Sequence, residues 1–285
     1  MPVTINLAGA LRHVKRHWER AFPDEDKASF RLWADALCIN QNDPLERNAH
    51  LPKMGYIYSA AQAVLAWMGN EDKQVPLAFE TIELLHTLLV PLVDQNQDIS
   101  TSAWFSEEPS LYEIDNPEAD LFRRNNRWSA VFDFFNLPYW ERLWIFQEMA
   151  LAGRLLYICP SRCIEYQLLH YVASTMFDIK SQPARPLGIY HEISYGIGWY
   201  LLSRVAWAKD ILRDHGRAAL SSSACAQDLP TVTTFKDREY LVSAFAASLH
   251  ATDPKDYIHG LLGLMQMDID PDYGATKSVA DVYCE

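Results

Sequence analysis

Two short apolar runs separated by a helix-patterned stretch constrain this chain more than any other feature. The runs are Phe30–Ile39 (FRLWADALCI) and Ala63–Met68 (AVLAWM). An uninterrupted apolar run of this length, closed by turn-forming residues, is how a strand covered on both faces is written. The first run exits through Asn40 to Pro44, and the second stops at Gly69-Asn70. Between them, Glu46 to Ala61 sets Leu51, Met54, Ile57 and Tyr58 on one helical face. Ahead of both, Asn6 has an N-cap side chain, and Leu7, Leu11, Val14 and Trp18 form one apolar stripe that Pro23 closes. Helix, strand, helix, strand is the order of a parallel α/β layer structure.

The pattern then loosens. Pro76 to Val93 reads as helix and Asp94 to Asp120 as an acidic surface loop. Trp128 to Phe135 and Tyr139 to Leu151 read as helices around Pro138, and Arg154 to Cys159 as another strand. From Tyr166 onward the signal is mainly helical, notably Tyr190–Arg213 and Asp237–His250, with a loop over Ser221–Thr234. The predicted organisation is an α/β core over 1–160, with a loop insertion at about 94–120, and a mainly helical remainder over 161–285.

Bulk chemistry excludes several functions. A net charge of −12 opposes a nucleic-acid or anionic-lipid surface, since both need a clustered positive field. Five scattered cysteines suit reduced thiols in the cytoplasm better than a disulfide framework. Cys159 and Cys163, in C-P-S-R-C, lack the second ligand pair of a zinc site, so no metal is expected. The N-terminus has early charge and no apolar core, unlike a signal peptide. The most apolar window, Val75–Val93, carries Glu80, Glu83, His86 and Pro91 and falls short of a membrane span. No phosphate-cradling glycine loop and no serine or cysteine nucleophile motif is present. The expectation is a soluble cytoplasmic protein without nucleic acid, membrane or cofactor.

Three segments carry recognisable text. The first runs from Leu32 to Gln41 (LWADALCINQ), continues with Glu46-Arg47, Met54 and Ile57-Tyr58, and ends at Val64–Gly69 (VLAWMG). The second is Pro138–Glu148 (PYWERLWIFQE). The third is Asp253-Pro254-Lys255-Asp256 through Leu261–Leu264, then Pro271-Asp272-Tyr273 and Val282-Tyr283. Together they resemble the fungal heterokaryon-incompatibility (HET) domain, with its "LWIDALCINQ", "W..R.W..QE" and "DPRD..YALLGL" blocks in the same order. Ala34, Lys255 and His259 depart from the family text at single positions. A larger departure is the opening: the family's "Y.ALSY.WG" strand is replaced by Met1–Ile5, so the first strand is expected to be missing.

The resemblance implies a role in nonself recognition and programmed cell death, and a remote likeness to TIR domains with their flavodoxin-like parallel sheet. Some TIR domains hydrolyse NAD with a glutamate four residues after a tryptophan, a spacing that Trp144 and Glu148 share. One helical turn would bring the pair to one face, a carboxylate beside an aromatic wall. Glycosidic cleavage passes through an oxocarbenium-like state that a carboxylate stabilises or attacks. Glu148 is therefore the candidate catalytic residue, with NAD as substrate, and Trp144 and Arg142 are candidate binding residues. The plainer alternatives are that Trp140 and Trp144 anchor the core and that Glu148 pairs with Arg142 or Arg154. Asp35, inside the first apolar run, serves either a structural hydrogen bond or a ribose pocket. Asn40 and Gln41 are pocket candidates because ligands of open α/β sheets bind beyond the strands' carboxyl ends.

Two mechanisms of different class follow. In one the domain is an NAD-consuming enzyme. In the other it is a signalling adaptor that self-assembles or binds a protein partner. An inactive, truncated paralogue is the third reading.

Overall fold

The computed structural model describes residues 4–70, 74–97, 99, 108–120, 123–181, 197–221, 249–265, 269–274 and 277–284. Its first element, α1 (Ile5–Ala21), is capped by Thr4, whose hydroxyl accepts the Leu7 N–H at 3.2 Å. The cap thus sits two residues before the expected Asn6. The expectation about a first strand falls largely on residues outside those described, and from Ile5 the chain is helical.

The predicted strand at Phe30–Ile39 does not form. Its first half is extended and its second is a single helical turn, α2 (Asp35–Cys38). Asp35 starts the turn by accepting the Ala36 N–H at 2.7 Å on its own carboxylate. Leu32 and Leu37 stay exposed at 39% and 42%, so the run was apolar without being interior. Helix α3 (Pro44–Ala60) then begins on Asp43, which accepts the Leu45 and Glu46 N–H groups, with Pro44 preset in the first turn.

Strand β1 (Val64–Trp67) follows, then α4 (Gln74–Asp94), α5 (Asn126–Phe135), a 3-10 turn at Pro138–Glu141 and α6 (Trp144–Leu151). The chain next enters β2 (Leu155–Ile158) and β3 (Cys163–Glu165), the latter a three-residue strand the sequence reading passed over. Helices α7 (Tyr166–Ser181), α8 (Ile197–Ser221), α9 (Asp256–His259) and α10 (Val279–Cys284) follow. The expected Ser221–Thr234 loop and Asp237–His250 helix lie almost wholly outside the described residues.

The sheet is small and mixed rather than parallel throughout. β1 pairs parallel with β2, Val64 opposite Leu155, and β2 pairs antiparallel with β3, Leu156 opposite Glu165. A two-residue period decides which layer each β2 side chain enters. Leu156 and Ile158 meet Ala10 and Val14 of α1, whereas Leu155 and Tyr157 join the larger core of α4 to α8. Helices therefore cover both faces, an α/β layering. That larger core runs continuously from Ala66 to Met265, across the middle of the chain.

Polar ties hold α1 to the sheet side. His17 is fully buried and its Nε2 lies 2.8 Å from the Cys159 carbonyl; the Trp18 indole N–H donates to Gln62 at 2.9 Å. Helix α4 is long and apolar enough to cross a membrane by length and composition. Here Phe79, Ile82, Leu85 and Leu89 are each at most 1% exposed, packed against α5 and α7.

Candidate functional site

A cleft of about 560 Å³, counting its open mouth, forms where all three text segments meet. The first supplies Asp35, Ile39 and Gln41 from the α2 turn and its exit. Helix α3 adds Arg47, Leu51, Met54 and Tyr58. Arg142, Trp144 and Glu148 come from the second segment, Asp256 and Tyr273 from the third.

The α6 helix explains why Trp144 and Glu148 face the cleft together. They are its first and fifth residues, one turn apart. Burial pushes the Glu148 carboxyl up from its ordinary range; the Arg142 charge pulls it back, Asp35 raises it, and a hydrogen bond from Tyr58 lowers it. The Tyr58 phenol is in turn pushed well above its usual value by burial and by the neighbouring carboxylates. Trp33 packs edge-on against the Tyr58 ring at 5.7 Å between centroids, which fixes it.

Trp140 and Trp144 part company. Trp140 is fully buried, with its indole N–H donating to the Phe134 carbonyl at 2.6 Å, and is a core anchor. Trp144 is half-buried on the cleft and donates its indole N–H to Asp256.

The opposite wall is built around Asp256 and Tyr273. Asp256 is 7% exposed; burial raises its carboxyl, while hydrogen bonds from Tyr273 and Trp144 favour the ionised form. The Tyr273 hydroxyl donates to Asp256 Oδ1. The Arg47 guanidinium lies 3.6 Å over the Tyr273 ring, and His259 meets the ring's edge at 5.0 Å. Asn48 accepts the Tyr273 N–H at 2.8 Å. Lys255 donates to the carbonyls of Asp272 (2.9 Å), Gly274 (3.2 Å) and Lys277 (2.6 Å), clamping the loop that carries Tyr273. A lysine, with three rotatable donors, fits three carbonyls well. Near the cleft mouth, His250 donates to the Glu141 carbonyl and accepts from the Leu143 N–H, so the third segment is stitched beside Arg142.

Of the sequence candidates, Glu148, Trp144, Asp35, Gln41 and Arg142 come together in the cleft. Asn40 does not line it: its N–H donates to Glu46 at 3.0 Å and its side chain accepts from the Asn42 N–H, so it builds the loop. The strand-end argument for Asn40 and Gln41 lapses with the strand. Gln41 reaches the cleft instead by folding its amide over the α2 turn, donating to the Asp35 carbonyl at 3.0 Å. Arg154 is no partner for Glu148, since it pairs with Glu165 at 2.6 Å. Arg47, Tyr58, Asp256 and Tyr273 were missed as site residues. Beside Asp256 it is Asp253 that caps the local turn, accepting the Lys255 N–H at 3.0 Å. Among the described residues no three His, Cys, Asp or Glu side chains gather as a metal site needs.

A family profile described as heterokaryon incompatibility protein (HET) matches residues 1–148, ending on Glu148 and covering half of the chain. The chain belongs to the HET family. It is 24% identical over 185 residues to heterokaryon incompatibility protein 6, OR allele, of Neurospora crassa, an overlap of 61% of this chain and 26% of that protein. This HET chain thus spans about a quarter of the curated relative it matches. No solved structure matches it. The HET profile takes in the Asp35, Arg47, Tyr58 and Glu148 walls, while Asp256 and Tyr273 lie beyond it.

Proposed function

We propose that this HET protein is a cytoplasmic effector of nonself recognition that triggers cell death, and that its cleft hydrolyses NAD in the manner of a TIR domain. The observation that supports the reading is the placement of Glu148 one turn from Trp144 in a cleft that also holds Asp35 and Arg142. In the reaction the bond between nicotinamide and ribose breaks, nicotinamide leaves with the bonding electrons, and water delivers a hydroxyl to the ribose carbon with release of one proton. Glu148 stabilises the developing positive charge on the ribose, or adds to it and is then displaced by water. Tyr58 and Arg142 favour its ionised form, which either role requires. Trp144 walls the cleft and, fixed through Asp256, offers a face for the base. The test is nicotinamide release from NAD by the purified chain, with Glu148→Gln beside it. Release that the substitution abolishes supports the reading; no release, or equal release by the variant, sinks it.

A second reading, a non-enzymatic adaptor that self-assembles or binds a protein partner, draws on the exposure of Leu45 (79%) and Tyr56 (63%) on α3 and of Leu32 and Leu37. Toxicity in expressing cells without loss of NAD would favour it.

A further inference from the structure

Two guanidiniums share the cleft with the carboxylates, yet neither is bound to them. Arg47 and Arg142 both line it, and among the described residues neither makes a salt bridge. The carboxylates are satisfied by neutral donors instead: Glu148 by Tyr58, and Asp256 by Tyr273 and Trp144. A buried carboxylate beside an arginine would ordinarily take a forked ion pair, the strongest arrangement open to both groups. Using phenol and indole donors leaves each guanidinium's in-plane N–H groups available to something else. Arg47 is held for that purpose, since the Tyr273 ring under its face fixes its plane without occupying its donors. In a cleft otherwise lined by the carboxyl groups of Asp35, Glu148 and Asp256, these two cations are where an anion would be accepted.

We infer that Arg47 and Arg142 hold the phosphates of the ligand, so that the cleft takes a phosphorylated nucleoside and discriminates against the nucleoside alone. This rests on the reading of the cleft as the nucleotide-cleaving site. Planar guanidiniums match phosphate oxygens in pairs, whereas the ribose hydroxyls suit the carboxylate side of the cleft. One ligand thereby meets both kinds of wall.

The experiment uses the Glu148→Gln chain, so that the influence of Arg142 on Glu148 ionisation does not enter. The probes are ADP-ribose and adenosine, and affinity is measured by calorimetry. Expected are ADP-ribose binding at least about tenfold tighter than adenosine, and a loss of about tenfold or more on Arg142→Gln or Arg47→Gln with adenosine unaffected. Lysine at either position restores part of the affinity, the charge without the fork. Absent ADP-ribose binding, equal affinity for the two probes, or folded arginine variants that bind ADP-ribose like the parent would each overturn the assignment. If Arg47→Gln unfolds through its stacking on Tyr273, the exposed Arg142 decides the matter. Nicotinamide release by the chain with Glu148 intact separates the two readings. Arginine-dependent ADP-ribose binding without release removes hydrolysis and keeps the phosphate site; release indifferent to both arginines does the reverse.

Discussion

Gly55 and Gly263 touch backbone to backbone: a methyl group placed on Gly55 would stand 2.9 Å from the Gly263 Cα and 3.0 Å from its carbonyl oxygen. A methyl on Gly263 would collide with the side-chain amide of Gln147 and come 3.0 Å from the Gly55 Cα. Helix α3, α6 and the third text segment are locked together at this point, directly behind the cleft. Gly55→Ala and Gly263→Ala are therefore each expected to cost about 1–3 kcal/mol in chemical denaturation, with Gly55→Ala at the upper end, because it meets only backbone, which cannot yield as the Gln147 side chain can.

Glu148→Gln is expected to stabilise the fold at neutral pH while removing nicotinamide release. Burial raises the Glu148 carboxyl above its unfolded value. Such a group's stabilising contribution is complete below the unfolded value and is lost as pH rises through the folded one. The variant should melt about 2 °C higher at pH 7, and the gap should close as the pH falls toward 4. A scanning-calorimetry series over that range checks it, and a gap that widens on acidification would contradict the desolvated carboxyl.

His259 runs the other way. Its ring is 1% exposed with neither nitrogen partnered among the described residues, and burial lowers its pKa. A depressed imidazole contributes stability that is present above its ordinary value of about 6.5 and lost as pH falls through the folded one. His259→Phe keeps the ring edge against Tyr273 and removes two unsatisfied polar atoms, so a gain of about 1 kcal/mol is expected at pH 7. The advantage should grow as the pH drops to 5, measured by urea midpoints.

The two tryptophans of the second segment should separate by assay. Trp140→Ala empties a fully buried site and is expected to cost about 3–5 kcal/mol of stability. Trp144→Phe removes the indole N–H from Asp256, expected to cost about 1 kcal/mol, yet by loosening the wall it should slow nicotinamide release. Equal stability losses from the two would refute the division into anchor and wall.

Much of this was legible in the residues, and the misreadings have a common cause. Periodicity located α1, α3, β1, α4 and β2 because each buries one face or two in a sustained way. Phe30–Ile39 had the composition of a strand, but composition does not reveal whether a neighbouring strand exists to accept its hydrogen bonds. Among the described residues no strand pairs with it, and Asp35 starts a helical turn instead. β3 was missed because a three-residue strand such as Cys163–Glu165 carries no period. In the site, the Trp144–Glu148 spacing is local and could be read directly. Asp256 has the local surroundings of a turn, and its cleft role depends on Trp144, which lies 112 positions earlier in the numbering. Tyr58 looked like core for a similar reason: its partner Glu148 is on another helix.

The cleft takes Asp35 from near the start of the chain and Asp256 and Tyr273 from near the end of the described residues. During translation the ribosome delivers these in order, so a growing chain carries Glu148 long before the wall that faces it. A half-synthesised or prematurely terminated copy therefore emerges with an open, unclamped site.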